Sequence, residues 1–304
     1  MSNSSTYIFT DIDLDGVGSL IAIHQVLGAK PGDIKFTAAS VSNIRKELLR
    51  WLETDSFVNY TNVYFLDLDT SEIIDLIDAP NVIVIDHHNS HAKNADKYKR
   101  AQVMVTVTTS CSKLIYRTYK DKLSHLTDAQ KYFIALCDDY DSYVFKLPDS
   151  YNLNCLFTNT QKSPDKSRTH KFLERFYEGF NQFTVQEANI IKDYIERKNA
   201  AIAGLKIFEG KVSIGKQDRY IVGTHGEKFT NEICHHLIEK HNAEIAFFYN
   251  INSNHVSWRK SKTCEIDLSK LAAKLCQGGG HEYAAGGQST PAFFEFTKSL
   301  TPKI

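Results

Sequence analysis

An apolar, β-branched run that ends in ionisable side chains sets the first constraint on this chain. Val82-Ile83-Val84-Ile85 leads directly into Asp86-His87-His88. Such a run reads as a strand buried in a parallel sheet, and its carboxyl end is where open α/β sheets bind ligands. The pattern recurs three times in the first half. Tyr7-Ile8-Phe9 precedes Asp11-Ile12-Asp13-Leu14-Asp15-Gly16, Val63-Tyr64-Phe65-Leu66 precedes Asp67 and Asp69, and Phe133-Ile134-Ala135-Leu136 precedes Asp138-Asp139-Tyr140-Asp141. Acids at alternate positions, as in Asp11 to Asp15, repel one another without a counter-charge. Gly16 lets the backbone turn tightly into a helical stretch from Val17 to Leu27. Carboxylates and imidazoles gathered at strand ends suit one or two divalent ions of the manganese kind. That reading outweighs four unrelated acidic loops.

A second constellation lies near the carboxyl terminus. Gly278 to Gly287 is the densest glycine stretch and holds Gly279, Gly280, His281 and Glu282. Glycines leave N–H groups unshielded, so an anion can approach closely. The small residues after them suit a tightly packed helix start, which attracts phosphate. Just upstream, His255-Val256-Ser257-Trp258-Arg259-Lys260 alternates like a strand and carries a guanidinium suited to phosphate.

Coarse periodicity predicts strands near 6–10, 34–38, 63–67, 82–86 and 103–108 alternating with helices, which argues for a parallel sheet with crossover helices. Helices are expected near 110–121, 127–138, 169–181 and 184–204. Thr184 with Glu187 three residues later is a capping box opening the longest of them. Short strands at 206–214, 219–223, 245–250 and 255–259, with helices near 229–241 and 268–276, form a smaller α/β domain. The expected boundaries are a first domain over 1–183, a connector helix over 184–205 and a second domain over 206–304. The phenylalanines and tyrosine at 172, 176, 177, 180 and 183 recur near helical spacing and read as core. His235-His236 read as surface and packing positions.

These motifs together resemble the DHH-family phosphoesterases with a DHH-associated C-terminal domain, of the nanoRNase and RecJ-like group. The matching residues are Asp11-x-Asp13-x-Asp15-Gly16, Asp67, Asp86-His87-His88, a fourth motif within Asp138 to Asp141, Val256-Ser257-Trp258-Arg259, and Gly279-Gly280-His281-x-x-Ala284-Ala285-Gly286. The resemblance spans nearly the whole chain. It implies an α/β parallel-sheet catalytic domain joined by a long helix to a smaller α/β domain, with the active-site cleft between them. It also implies two Mn²⁺ ions, with Mg²⁺ as the alternative, held by Asp13, Asp15, Asp67, His87 and one fourth-motif acid. Asp139 is the choice for that acid, on its spacing to the following aromatics, with Asp138 and Asp141 as rivals. Asp86 would orient an imidazole and His88 would act on the phosphate or the leaving oxygen. Arg259, Gly279, Gly280 and His281 would grip a substrate phosphate. Asp11 stands where many family members that act on small nucleotides have histidine, and an acid there resembles the RecJ-type exonucleases.

The implied activity is phosphodiester hydrolysis by two-metal hydroxide attack on short single-stranded RNA or DNA. The alternatives are a RecJ-like exonuclease on longer single-stranded DNA, or a pAp or cyclic-dinucleotide phosphoesterase. A sensor that has lost its metal ligands fits poorly, because the ligands are intact. With 36 basic and 36 acidic residues, no global field attracts nucleic acid, so such contacts need a local basic patch. Six cysteines without close-spaced pairs suggest neither a zinc site nor a disulfide framework and fit a reducing cytoplasm. No membrane partner is expected, since no apolar stretch spans a bilayer and no signal-peptide pattern opens the chain. A homodimer is compatible with these features.

Overall fold

The apolar runs and the helical stretches between them sort into two sheets. The structure, a computed structural model, describes residues 5–215, 217–280 and 282–303. The chain divides into two compact units, one up to Lys192 and the other from Asp193.

In the first unit the elements run β1 (Thr6–Thr10), α1 (Leu14–Leu27), β2 (Lys35–Ala38), α2 (Ile44–Leu52), β3 (Asn62–Leu66), α3 (Ile74–Ile77), β4 (Val82–Asp86), α4 (Asn89–Ala92) and β5 (Gln102–Val105). The helices α5 (Cys111–Thr118), α6 (Asp128–Asp141), α7 (Pro148–Asn159), α8 (Arg168–Phe176) and α9 (Val185–Ala203) follow. All five strands pair in parallel in the order β2-β1-β3-β4-β5. The winding direction reverses between β1 and β3, the point at which such sheets open a crevice at their carboxyl ends. Every residue of β4 is buried, as a strand covered on both faces requires.

On one face Phe9 and Phe65 stack at 4.8 Å between centroids, and Trp51 of α2 closes over Phe9 edge-on. On α1 every residue from Leu14 to Val26 is buried, the mark of a helix surrounded by protein, and it packs against α5, α6 and α8. Thr184 and Glu187 form the expected reciprocal cap at the start of α9, a helix within which the division between the units falls.

In the second unit the order is β6 (Ile207–Ile214), β7 (Gln217–Gly226), α10 (Thr230–His241), β8 (Ile245–Asn250), β9 (His255–Lys260), α11 (Leu268–Leu275), β10 (Cys276–Gly280), β11 (Ala284–Ser289), α12 (Pro291–Thr297) and β12 (Thr301–Lys303). The sheet order is β10-β11-β9-β8-β7-β6-β12, antiparallel except for β7 with β8. Trp258, Phe247 and Phe293 form a core on the α11 and α12 side, while Phe248 and Val222 pack under α10.

The glycine stretch is a correction to the expected helix start. It forms an antiparallel pair in which Gly278 faces Gly287 and Gly279 faces Gly286. A Cβ on Gly278 would fall on the carbonyl oxygen of Gly286, and one on Gly287 against the carbonyl of Gln277. These glycines therefore let two backbones close up.

Candidate metal centre

The acidic motifs meet around one imidazole at the carboxyl ends of β1, β3 and β4. His87 follows β4, and its Nδ1 lies 3.2 Å from the Thr108 carbonyl. A carbonyl only accepts, so Nδ1 donates there, which leaves Nε2 as the nitrogen that could ligate a metal. Around Nε2 stand Asp67 Oδ1 at 3.3 Å, Asp141 Oδ2 at 3.4 Å and Asp15 Oδ2 at 3.9 Å.

Each acid reaches that point for a local reason. Asp15 is buried on α1 against the start of α5, where it accepts from the Cys111 N–H at 2.6 Å and the Ser112 N–H at 3.1 Å. A helix N-terminus is a favourable place for a buried carboxylate. Asp67 turns out of β3 with a left-handed backbone, φ 58°, a conformation that aspartate tolerates better than most residues. Its Oδ1 is buried and meets no hydrogen-bond donor among the described residues. Asp13 caps α1, accepting from Gly16 N at 2.8 Å, and Gly16 is glycine because a Cβ would strike the Asp11 carbonyl.

The fourth motif is corrected. Asp139, the expected ligand, accepts from Lys146 N at 2.9 Å, Leu147 N at 3.1 Å and Ser150 Oγ at 2.6 Å, so its carboxylate holds the turn into α7. Asp138 is bound by Lys113 at 2.6 Å and by Ser110. Asp141 is the acid beside His87. α6 continues through Asp141, and helical phase swings Asp139 away from the side that Asp138 and Asp141 share. Asp69 is likewise spent locally, on Ser71.

Asp86 is fully buried and joins two imidazoles. Its Oδ1 accepts from His88 Nδ1 at 2.7 Å and from the His87 N–H at 2.7 Å, and its Oδ2 accepts from His91 Nδ1 at 2.7 Å. His91 Nε2 lies 3.0 Å from the Tyr98 hydroxyl, which in turn lies 2.6 Å from Thr70 Oγ1. This extension through His91, Tyr98 and Thr70 went unread in the sequence. The third histidine in the stretch from Asp86 to His91 was the signal for it.

Charge follows from this packing. Burial first, then neighbouring carboxylates, push Asp67 and Asp141 well above the carboxylate range. Burial and Asp13 push Asp11 up to about 7. Burial raises Asp15 against the pull of His87. Burial alone would raise Asp86, yet the bonds from His88 and His91 outweigh it and hold it well below the usual range. His88 is the counterpart. Burial works against its charge, but Asp86, with Asp141 and Asp13 adding, raises it to about 9.

The donor set fits a divalent cation. The ligand atoms of Asp15, His87 and Asp141 lie within 4.8 Å of one another, as do those of Asp67, Asp86, His87 and His88. Hard oxygens with one or two imidazoles match Mn²⁺ or Mg²⁺. A cation there would satisfy the bare Asp67 oxygen and offset the crowding of acids.

In the second unit Arg259 on β9 donates from Nη1 to the Trp258 carbonyl at 2.7 Å and from Nη2 to Asn231 Oδ1 on α10. It shares a strand face with His255 and Ser257, opposite buried Val256, Trp258 and Lys260. Gly279 and Gly280 lie on β10, with open space where a Gly279 side chain would be. His281 lies outside the described residues.

Residues 5–137 match the DHH family, N-terminal domain. No curated protein matches the chain in sequence. Among solved structures, a DHH domain described as a member of the s1p family of ribosomal proteins superposes with a TM-score of 0.68 at 13% identity, over 98% of this chain and 87% of that one. The pGpG-specific phosphodiesterase PggH of Vibrio cholerae gives 0.59 at 13% identity, over 97% and 96%. RecJ of Thermus thermophilus in complex with Mn²⁺ gives 0.58 at 11% identity, over 97% of this chain and 51% of that one. At these identities the likeness is one of fold.

Proposed function

We propose that this chain, which carries the DHH family N-terminal domain over residues 5–137, is a divalent-metal-dependent phosphodiesterase that cleaves short single-stranded oligonucleotides. The observation that carries this reading is the convergence of Asp15, Asp67 and Asp141 on His87 Nε2 around an oxygen of Asp67 that no donor among the described residues meets. Asp13 would add to that set from the start of α1.

Bound there, divalent ions supply Lewis acidity at phosphorus and ease the formation of a nucleophile from water. The remaining work belongs to side chains. Asp86 fixes the His88 ring through Nδ1 and favours its protonated form. His88 then donates that proton to the leaving oxygen as its bond to phosphorus breaks. His91, itself held by Tyr98, binds the far oxygen of Asp86 and so sets the angle of the His88 ring. Arg259, Gly279, Gly280 and His281 would hold a further phosphate of the substrate.

The fold is shared both with a phosphodiesterase named for a dinucleotide and with RecJ. The second reading, a RecJ-like exonuclease, is favoured by the acid Asp11 in the first motif. The test is a digestion time course with Mn²⁺ on end-labelled RNA and DNA from dinucleotide to long oligomer, beside pAp and cyclic dinucleotides. Fastest turnover on the shortest linear substrates is expected. Turnover that rises with strand length would favour the exonuclease, and full activity in chelator would remove the metal mechanism.

A further inference from the structure

Immediately after Asp141 the chain makes an expensive turn. Tyr143 and Phe145 both adopt left-handed backbones, φ 53° and 51°, where residues other than glycine, asparagine or aspartate are strained. The turn is held from behind. Tyr143 N donates to the Tyr140 carbonyl at 3.0 Å and Val144 N to the Asp139 carbonyl at 3.2 Å, while the Asp139 carboxylate takes Lys146 N and Leu147 N. The product of this strain is an aromatic surface. Phe145 leans edge-on against Tyr140 at 5.8 Å, Tyr143 at 5.6 Å and Tyr151 at 6.2 Å, yet 46% of it is exposed. A chain seeking only stability would place a small polar residue or glycine here. Phe145 stands four positions after Asp141, so its backbone lies within about 14 Å of that residue even at full extension.

We infer that Phe145, buttressed by Tyr140, Tyr143 and Tyr151, is a stacking platform for a nucleobase of the substrate whose phosphodiester lies at the metal centre. This inference rests on the phosphodiesterase reading above. Stacking tolerates any base, because each has an apolar planar face, so the platform recognises a nucleotide over other phosphodiesters without reading sequence.

The test is steady-state hydrolysis by the full chain with Mn²⁺ of the diadenylate pApA and of the same diester with abasic riboses. Wild type should show a KM lower for pApA by about 5- to 150-fold, the span of one base–aromatic stack. Phe145→Ala should lose that advantage and Phe145→Trp should keep it. Continued hydrolysis of the abasic diester by Phe145→Ala certifies that its metal centre is intact. An unchanged KM ratio in Phe145→Ala overturns the platform alone. Failure of wild type to cleave either diester overturns the phosphodiesterase reading and the platform with it.

Discussion

Replacing Asp141 with asparagine should make the metal-free protein more stable and the metal-loaded protein less so. The ligand atoms of Asp15 and Asp141 lie within 4.8 Å of one another around His87. Two unit negative charges at that separation repel by about 3 kcal/mol at an effective dielectric near 20. Asp141 is 25% exposed, and solvent screens part of that repulsion, so a gain of about 1–2 kcal/mol is the sound expectation. For a unit of this size that corresponds to a rise in Tm of about 2–8 °C. The pH dependence has a definite sign. The native carboxyls hold protons more tightly than the unfolded chain does, with Asp11 raised to about 7 and Asp67 and Asp141 raised well above the ordinary value. Metal-free wild type therefore loses stability as pH climbs from about 4 through the native values. The advantage of Asp141→Asn should grow over that interval and be smallest in acid. Thermal unfolding followed by circular dichroism in chelator, and again with Mn²⁺, measures both effects. In Mn²⁺ the wild type should gain stability by mass action on the native state, and the variant should gain much less. A metal-free variant less stable than wild type, or one that keeps the full Mn²⁺ shift, would refute the assignment of Asp141 to the centre.

Asp139→Ala should behave in the opposite way. It strips three donors of their acceptor and should cost about 1–3 kcal/mol while leaving Mn²⁺ stoichiometry intact. Because bonds from Ser150, Leu147 and Lys146 outweigh burial and lower the native Asp139 pKa, its contribution is present above the unfolded value and is lost as pH falls; chemical denaturation across acid pH reads this out. His88→Ala should cut turnover strongly with calorimetric Mn²⁺ stoichiometry near wild type, and a lost metal would move His88 into the ligand set. Tyr98→Phe leaves His91 Nε2 with one fewer partner, should cost about 1 kcal/mol by denaturant unfolding, and should lower kcat with KM unchanged if the chain through His91 to Asp86 sets the His88 ring. Arg259→Ala should raise KM for dinucleotides more than for a diester with a single phosphate, and an equal rise on both would place Arg259 at the cleaved bond.

What the sequence made legible was the part governed by local rules. Short β-branched runs such as Val82 to Asp86 can satisfy burial on two faces only as inner strands, and all five expected strands of the first sheet are present. The gathering of acids and imidazoles was legible as a set of motifs because side chains at strand ends are set by where each strand stops. Two features escaped besides the extension through His91, Tyr98 and Thr70. The glycine stretch has the same local composition whether it forms a loop or two strands whose backbones must touch. Only pairing with β9, upstream of the stretch, decides which. The acids after Leu136 were ranked by spacing to an aromatic, with the helix expected to end near 138. α6 runs through Asp141, so angular position on a helix, not spacing, decides which carboxylate faces His87.

The ligand-bearing residues reach from Asp15 to Asp141, carried by the ends of three parallel strands and a helix. No short fragment holds Asp15, Asp67, His87 and Asp141 together, and each closure that brings two of these residues together spans many residues. Parallel pairings of that kind form late and at high entropic cost. A divalent ion therefore has little to hold until the whole unit has assembled. Its grip should appear almost wholly as slower unfolding, with the refolding rate nearly independent of Mn²⁺. The centre would thus act as a latch on the finished fold rather than as a template for its formation.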